Sequence, residues 1–467
     1  MRISFWIYAT LAVLGLFLSC RHPFFWDTTQ LASRQAQWFF DHRFHSLLLP
    51  AVIDSGHPPG FGMYLAFLWQ LFGQSLPVSH FAVFPFILIT IAVLAKLGDR
   101  LHPGTGDWLP LLIFVDPVFA TQSTLVSPDN VVIAGFLLGL YGSWTHQRWL
   151  LVVGTLMLSA TSMRGMMATA GLYVFEILAA EKKVLDWRFG LQKMLAYVPA
   201  GLLSLAFLLL HYQAKGWIGF HADSPWAPSF AKVGWSGLVR NAVVLILRLL
   251  DFGRIFLWLS MGIIAAIIWR YWQPFWKLDH VRRLSILCLV MLAMESFSFL
   301  VYRGVNLHRY LGPFFLSADI LFVVLLLKSC LSERWKSFLF AFTLIGLISG
   351  HFWIYPPYIA QSWDTTLAHW PHYALRQKMI DYLDQKHIPL NEVGTAFPEI
   401  GPLHWRDLSQ QQRGFTAKNL EQQSYIFYLR TMNDFSDAER ITLFKDWKQE
   451  VVFQQGFLTA ILFKKMD

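Results

Sequence analysis

The chain is short of charge: of its 467 residues 14% are Asp, Glu, Lys or Arg, against 55% hydrophobic, and the mean hydropathy is +0.44. A soluble enzyme of this length needs a far more polar surface, so that class is excluded and the bilayer is the main solvent. Cysteine is scarce as well. Cys20, Cys288 and Cys330 stand far apart in apolar segments, which argues against a disulfide framework and a zinc site. No basic stretch interleaved with aromatics occurs, so the net charge of +9 points to cytoplasmic loops and anionic lipid, not to nucleic acid. Extended internal repeats are also lacking. The tetrapeptide Trp-Asp-Thr-Thr occurs at 26–29 and again at 363–366, but with nothing longer around it the coincidence reads as chance.

What is abundant is aromatic and apolar: 41 Phe and 21 Trp, residues that collect where hydrocarbon meets headgroups. Apolar runs of membrane-spanning length fall near 3–20, 78–97, 108–124, 129–146, 149–163, 166–181, 191–212, 254–270, 284–302, 309–327 and 337–353. The expected fold is therefore a polytopic α-helical membrane protein with about eleven transmembrane helices. The run from Ile3 to Ser19 before Cys20 also fits a secretory or lipoprotein signal, but Phe17-Leu18-Ser19 makes a poor cleavage site, and an uncleaved first span is the better reading.

Orientation follows from the basic residues. With the N-terminus cytoplasmic, the inner loops hold Lys96 and Arg100, then Arg148, then Lys182, Lys183 and Arg188, then Lys277, Arg282 and Arg283, then Lys328, Arg334 and Lys336. The outer loops are then 21–77 and 213–253. Within the first, Leu31–Phe40 and the short run Phe61–Phe72 are expected to lie along the surface, the latter because a dozen residues cannot cross the hydrocarbon. Beyond Trp353 charge becomes frequent. Trp370–His387 has helical periodicity, and Gln423–Leu429 and Phe457–Lys464 read as strands, so 1–353 is expected to be the transmembrane domain and 354–467 a small soluble α/β domain in the periplasm.

A charge near the bilayer centre costs about 2.5–3.5 kcal/mol, so charges kept at span ends are candidates for function. On the outer side these are Asp27, Asp129, Arg164, Arg303, His308 and Arg309. Arginine there runs against the positive-inside pattern and suits an anionic ligand such as phosphate. Each has a structural alternative that stays open: Asp27 and Asp129 as helix caps, Arg164 and Arg309 snorkelling to headgroups, His57 capping a turn before Pro58-Pro59-Gly60. Asp116 suits a pair with a neighbouring arginine. Arg248, Asp251 and Arg254 have the spacing of a surface helix. Trp217, Trp226 and Trp235 suit either sugar stacking or interfacial anchoring.

The order of Phe24-Phe25-Trp26-Asp27, His57-Pro58-Pro59-Gly60 before Phe61–Gly73, Ser127-Pro128-Asp129, Ser162-Met163-Arg164-Gly165 and His308-Arg309-Tyr310 before Pro313 resembles the GT-C membrane glycosyltransferases. Within them it is similar to the protein O-mannosyltransferase and lipid A aminoarabinose transferase family (glycosyltransferase family 39). The resemblance spans roughly residues 1–330. It implies a GT-C fold in a bacterial inner membrane and transfer of a sugar from a polyprenyl-phosphate donor to a hydroxyl of a lipid, glycan or protein acceptor. It makes Asp27 the catalytic carboxylate and His57, Arg164 and Arg309 the donor phosphate ligands, with Asp129, His308 and Tyr310 in support. The family often has two adjacent acids where this chain has Asp27-Thr28, and a Lys-Gly where it has Arg164-Gly165; no metal ligands are assigned, and a divalent ion stays open. A lipid or anionic-solute transporter, a non-catalytic scaffold, and an oligosaccharide ligase or polymerase using a diphosphate-linked donor are the competing readings.

Overall fold

The computed structural model describes residues 3–103, 105–180, 186–222, 227–270 and 278–466. Lys182, Lys183, Trp226 and Lys277, used above, lie outside them. The chain is helical up to Gly350 and folds beyond it into a small mixed domain.

Helices stand at each of the eleven apolar segments, but the count of about eleven crossings is not reproduced by their length and apolarity. Leu76–Leu101, Asp279–Val301 and His308–Lys328 qualify, and a fourth if Trp187–Met194 and Val198–Lys215, bent by 71°, form one span. The reason is length. Ile3–Ser19 has 17 residues and Arg148–Thr161 has 14, which at about 1.5 Å per residue fall short of a ~30 Å hydrocarbon core.

The expected span 108–124 is two helices, Trp108–Val115 and Pro117–Thr124. Pro117 has no N–H to give and holds Asp116 in an extended conformation. The Asp116 carboxylate then caps the second helix, accepting from the N–H groups of Val118 (2.9 Å) and Phe119 (3.3 Å).

The main core forms around Gly312–Lys328, where Phe315, Leu316, Ile320, Phe322 and Val323 are buried. That helix is apolar all round, as a central helix must be. In the segment 21–77, Ala32, Ala36 and Phe39 pack against Phe61, Leu65 and Trp69 of Gly60–Phe72, a helix of 13 residues as the short apolar run requires. In the segment 213–253, Trp235–Leu250 exposes Trp235, Val239, Val243, Ile246 and Leu250 along one stripe, the pattern of a helix lying in an interface.

The C-terminal domain holds a six-stranded sheet, β1 (Val393–Thr395), β2 (Gly401–Pro402), β3 (Gly414–Ala417), β4 (Tyr425–Leu429), β5 (Trp447–Gln455) and β6 (Leu458–Lys465), in the order β2-β3-β1-β4-β6-β5. β1 runs parallel to β3 and β4, and β4, β6 and β5 pair antiparallel. The expected helix and two strands are present as Pro371–Gln385, β4 and β6. Leu375, Met379 and Leu383 join the sheet's core, and so do Phe25, Trp26 and Leu125 from the helical part. The Phe24 N–H also donates to the Arg406 carbonyl at 2.8 Å. The C-terminal domain thus rests directly on the loop that carries Asp27.

Candidate active site

Arg309 lies in a short 3-10 turn, His308–Leu311, at the head of the central helix. Its guanidinium meets three carboxylates: Nη2 donates to Asp27, Nη1 donates to Asp129 Oδ2 at 2.8 Å, and Nε lies 2.8 Å from Asp364 Oδ2. The last is an ion pair without a well-aimed hydrogen bond, since neither Arg309 Nε nor Asp364 Oδ1 has a hydrogen-bond partner. Arg164 Nη2 donates to the other oxygen of Asp129 at 3.0 Å. Both guanidinium groups lie over the Tyr310 ring, 4.2 Å (Arg164) and 5.0 Å (Arg309) from its centroid. With every group ionised, three carboxylates face two guanidinium groups and the cluster carries one net negative charge.

Local structure aims the two sequence-predicted acids. The Thr28 hydroxyl donates to the Phe25 carbonyl (2.7 Å) and accepts from its N–H (3.0 Å), closing a tight turn around Trp26, at φ 56°, and Asp27. The helical turn that follows has no side-chain cap, so the capping alternative for Asp27 falls away and its carboxylate is given to Arg309. The helix Asp129–Thr145 likewise has no side-chain cap bond, and Asp129 is spent on the two arginines. Ser162 caps the helix Met163–Leu178 and so starts it with Arg164 in its first turn.

Asp364 was not foreseen. It sits in the 3-10 turn Trp363–Thr365 with its carbonyl held by Gln122 Nε2 at 2.8 Å. The two Trp-Asp-Thr-Thr copies, read as a coincidence, place their aspartates on the same arginine. Burial pushes the Asp364 carboxyl up and Arg309 pulls it down, while Asp27 and Asp129 add to the upward push; it settles at about 6.

His57 borders this cluster. Its Nδ1 accepts from the Met163 N–H at 3.4 Å, which leaves the ring proton on Nε2. Burial, then the charge of Arg164, holds it down to about 4, so it is neutral at pH 7 and acts there as a donor of a hydrogen bond, not as a cation. Among the phosphate ligands proposed from sequence, Arg309 is 3% exposed and already engaged on three sides, whereas Arg164 is 19% exposed. Arg164 is the more accessible of the two.

No family model matches the sequence, and no curated protein matches it. Solved structures do. ArnT from Cupriavidus metallidurans bound to undecaprenyl phosphate superposes with a TM-score of 0.57 at 12% identity, covering 99% of this chain and 98% of that one. ArnT in the apo state gives 0.52 at 13%, covering 98% and 97%. The chain has the ArnT fold. Coverage that complete includes the C-terminal domain, so the sheet is part of the shared architecture and not an addition to it.

A second polar network lies behind the first. His308, expected to support the site, turns the other way, its Nε2 3.1 Å from Asp251 and its Nδ1 3.3 Å from the Ser362 hydroxyl. Asp251 also accepts from the Tyr355 hydroxyl, and Arg248 donates to that hydroxyl and to the Asn306 carbonyl. Arg254 pairs with both oxygens of Asp116, the pairing anticipated for Asp116, with both side chains 1% exposed. The surface-helix reading of Arg248, Asp251 and Arg254 is therefore corrected: Arg248 is on the buried face of the helix Trp235–Leu250, and Asp251 and Arg254 flank a break after it at Phe252 and Gly253, so that no single helix face carries all three.

Among the described residues no group of three or more His, Cys, Asp or Glu is arranged to hold a metal ion. Asp27, Asp129 and Asp364 converge on a guanidinium, so a divalent ion among them has to displace Arg309. This donor set does not fit the divalent ion that the sequence resemblance leaves open.

Proposed function

We propose that the protein is a glycosyltransferase of the bacterial inner membrane that moves a sugar from a polyprenyl-phosphate carrier to a hydroxyl acceptor at the periplasmic face, with inversion at the anomeric carbon. One observation carries the reading: Asp27, Asp129, Asp364, Arg164 and Arg309 meet in one cluster on the fold of ArnT, a protein solved with undecaprenyl phosphate bound. That fold is the one expected from the sequence resemblance to the aminoarabinose transferase family.

The chemistry follows from the charges. An acceptor hydroxyl is a weak nucleophile. Asp27 accepts its proton while the oxygen bonds to the anomeric carbon and the bond from that carbon to the phosphate oxygen breaks. Charge builds on the departing phosphate, where Arg164 stabilises it and His57 Nε2–H adds a neutral donor. Arg309 holds Asp27 in place. Tyr310 and Asp129 hold the two arginines. His308 has a positioning role at most, through Asp251 and Ser362.

The test is transfer of radiolabelled sugar from a panel of polyprenyl-phosphate sugars to envelope extract, with wild type and Asp27→Asn at equal folded amount. Product formed by the wild type and lost in the variant supports the reading. Equal transfer removes Asp27 from the mechanism, and no transfer from any donor overturns the assignment.

A further inference from the structure

The helical part carries a second cavity at the end opposite the carboxylate cluster. The helices Asp129–Thr145 and Met163–Leu178 both start at the cluster, with Asp129 and Arg164 in their first turns. They have 17 and 16 residues, roughly 25 Å at about 1.5 Å per residue. At their far ends Ser143, His146 and Glu176 line a cavity of about 340 Å³. Arg148, the first residue of the helix Arg148–Thr161, and Lys193 complete its charged lining. None of the residues used in the mechanism above lines it.

The buried carboxylate of this cavity is already committed. Glu176 accepts from the Ser143 hydroxyl (2.7 Å), from Lys193 Nζ (3.1 Å) and from the Tyr197 hydroxyl (3.2 Å). It therefore anchors Lys193, whose ammonium has further N–H groups to give. Arg148 is exposed, and among the described residues it meets no carboxylate. With Arg148, Lys193 and Glu176 ionised, the wall carries one net positive charge. An aimed ammonium and an uncompensated guanidinium in one wall suit a phosphate. Glu176, spent on three donors, is not left over for an ammonium, so a phosphodiester with an uncharged head fits better than a zwitterionic one.

The helix Trp187–Met194, bent by 71° from Val198–Lys215, sets the depth of the cavity. Trp187, Leu191, Met194 and Leu195 are exposed, at the spacing of one helical face. Phe189, Gln192, Lys193 and Ala196, on the opposite face, line the cavity. A short helix with an apolar face outward and a polar face inward lies flat at the level of lipid headgroups. Trp149, beside Arg148, is also exposed, as aromatic anchors at that level are. Arg148 and Arg188 are among the residues by which the sequence marks the cytoplasmic side, where anionic lipid attracts basic groups.

We propose that this cavity binds one anionic phospholipid from the leaflet opposite the carboxylate cluster, its phosphodiester on Arg148 and Lys193. Binding is read without any transfer assay, so this site and the transferase reading stand or fall separately. Native mass spectrometry of the full-length, delipidated protein in detergent gives the apparent affinity of the first lipid bound, with phosphatidylglycerol and phosphatidylcholine of the same chains as probes. Phosphatidylglycerol is expected to bind at least about fivefold more tightly, and Arg148→Gln to remove about that factor. Glu176→Gln combined with Lys193→Met takes away the other cation without stranding a buried carboxylate, and is expected to weaken phosphatidylglycerol by a similar factor. Arg334→Gln, at an exposed arginine near the start of Glu333–Gly350, controls for a general loss of basic charge and is expected to leave binding unchanged. Millimolar glycerol 1-phosphate is expected to leave the bound lipid in place. Equal binding of the two lipids, full phosphatidylglycerol affinity in Arg148→Gln, or an equal loss in Arg334→Gln overturns the proposal. Displacement of the lipid by glycerol 1-phosphate overturns it too, because the site is then one for soluble phosphate.

Discussion

Replacing Arg309 by Met removes the one group that touches Asp27, Asp129 and Asp364 together. The cluster then holds three carboxylates against the single guanidinium of Arg164, and its net charge changes from one negative to two. Carboxylates that share one guanidinium lie about 5 Å apart, where each like-charged pair repels by roughly 3 kcal/mol at an effective dielectric of about 20. The protein limits the damage by taking up a proton, and the cheapest place is Asp364, already pushed up to about 6. The net loss is therefore expected near the ~3–5 kcal/mol typical of a broken buried ion pair, not at the full Coulomb sum. Adding Asp364→Asn to Arg309→Met removes one of the stranded charges and is expected to recover about 1–2 kcal/mol, so the two changes are not additive. Thermal unfolding in detergent, followed by tryptophan fluorescence, reads this at pH 7.5 and at pH 5.5, where more of the carboxylates are protonated and the deficit of Arg309→Met shrinks. Full stability of Arg309→Met at both pH values, or a double variant that loses the plain sum of the single losses, refutes the shared-cation account.

Asp364 stands above its unfolded value of 3.8, so the folded protein holds the extra proton between about pH 4 and 6. Its contribution to stability is therefore full at low pH and lost as pH rises through that window, and Asp364→Asn should flatten this part of the curve of unfolding midpoint against pH. The same proton removes a negative charge beside the donor phosphate: donor KM should fall as pH drops through about 6 in the wild type and stay level in Asp364→Asn. Arg164→Lys keeps the charge but gives up the fork whose arms reach Asp129 and the Arg309 carbonyl, and the stacking on Tyr310, so donor KM is expected to rise about tenfold with the fold intact, as steady-state transfer at varied donor concentration will show. In the C-terminal domain, burial pushes Glu399 up, but Arg376, Arg406 and His372 more than offset it and hold its carboxyl far below the usual range. Glu399→Gln leaves two buried guanidinium groups short of a carboxylate and is expected to cost about 3–5 kcal/mol, visible as tryptic cleavage of the domain at a temperature where the wild type resists.

How much of this was legible can be followed residue by residue. Asp27, Asp129, Arg164 and Arg309 each sit beside the end of an apolar run, where a charge is conspicuous because the hydrocarbon next to it is hostile to charge. Their types and places could be read; their partners could not, because Asp27 and Arg309 are 282 residues apart and periodicity carries no information over such a distance. His308 shows the limit at the shortest range. It was grouped with Arg309 as a neighbour, but successive residues of a 3-10 turn point about 120° apart, and one of the pair faces the carboxylate cluster while the other faces Asp251. The strands divide in the same way. β4 and β6 have the alternation and length to be seen, whereas β1 and β2 have three and two residues and exist only because neighbours pair with them.

Asp364 is the instructive omission. It follows the last apolar run by more than a loop's length and stands where the composition has already turned polar, so an acid there reads as ordinary surface. Only the repeated Trp-Asp-Thr-Thr marked it. Once the C-terminal domain packs Phe25 and Trp26 into its own core and receives the Phe24 N–H on the Arg406 carbonyl, the segment 363–366 is carried back over the helical part, and an acid that looked remote lies against Arg309. A boundary at 353/354 separates Asp364 from the arginine it pairs with. It follows that a chain ending at 353 lacks one of the three carboxylates, the Gln122 contact that aims it, and the cover over Asp27. The C-terminal segment therefore supplies part of the carboxylate cluster itself, and not only stability to the helices beneath it.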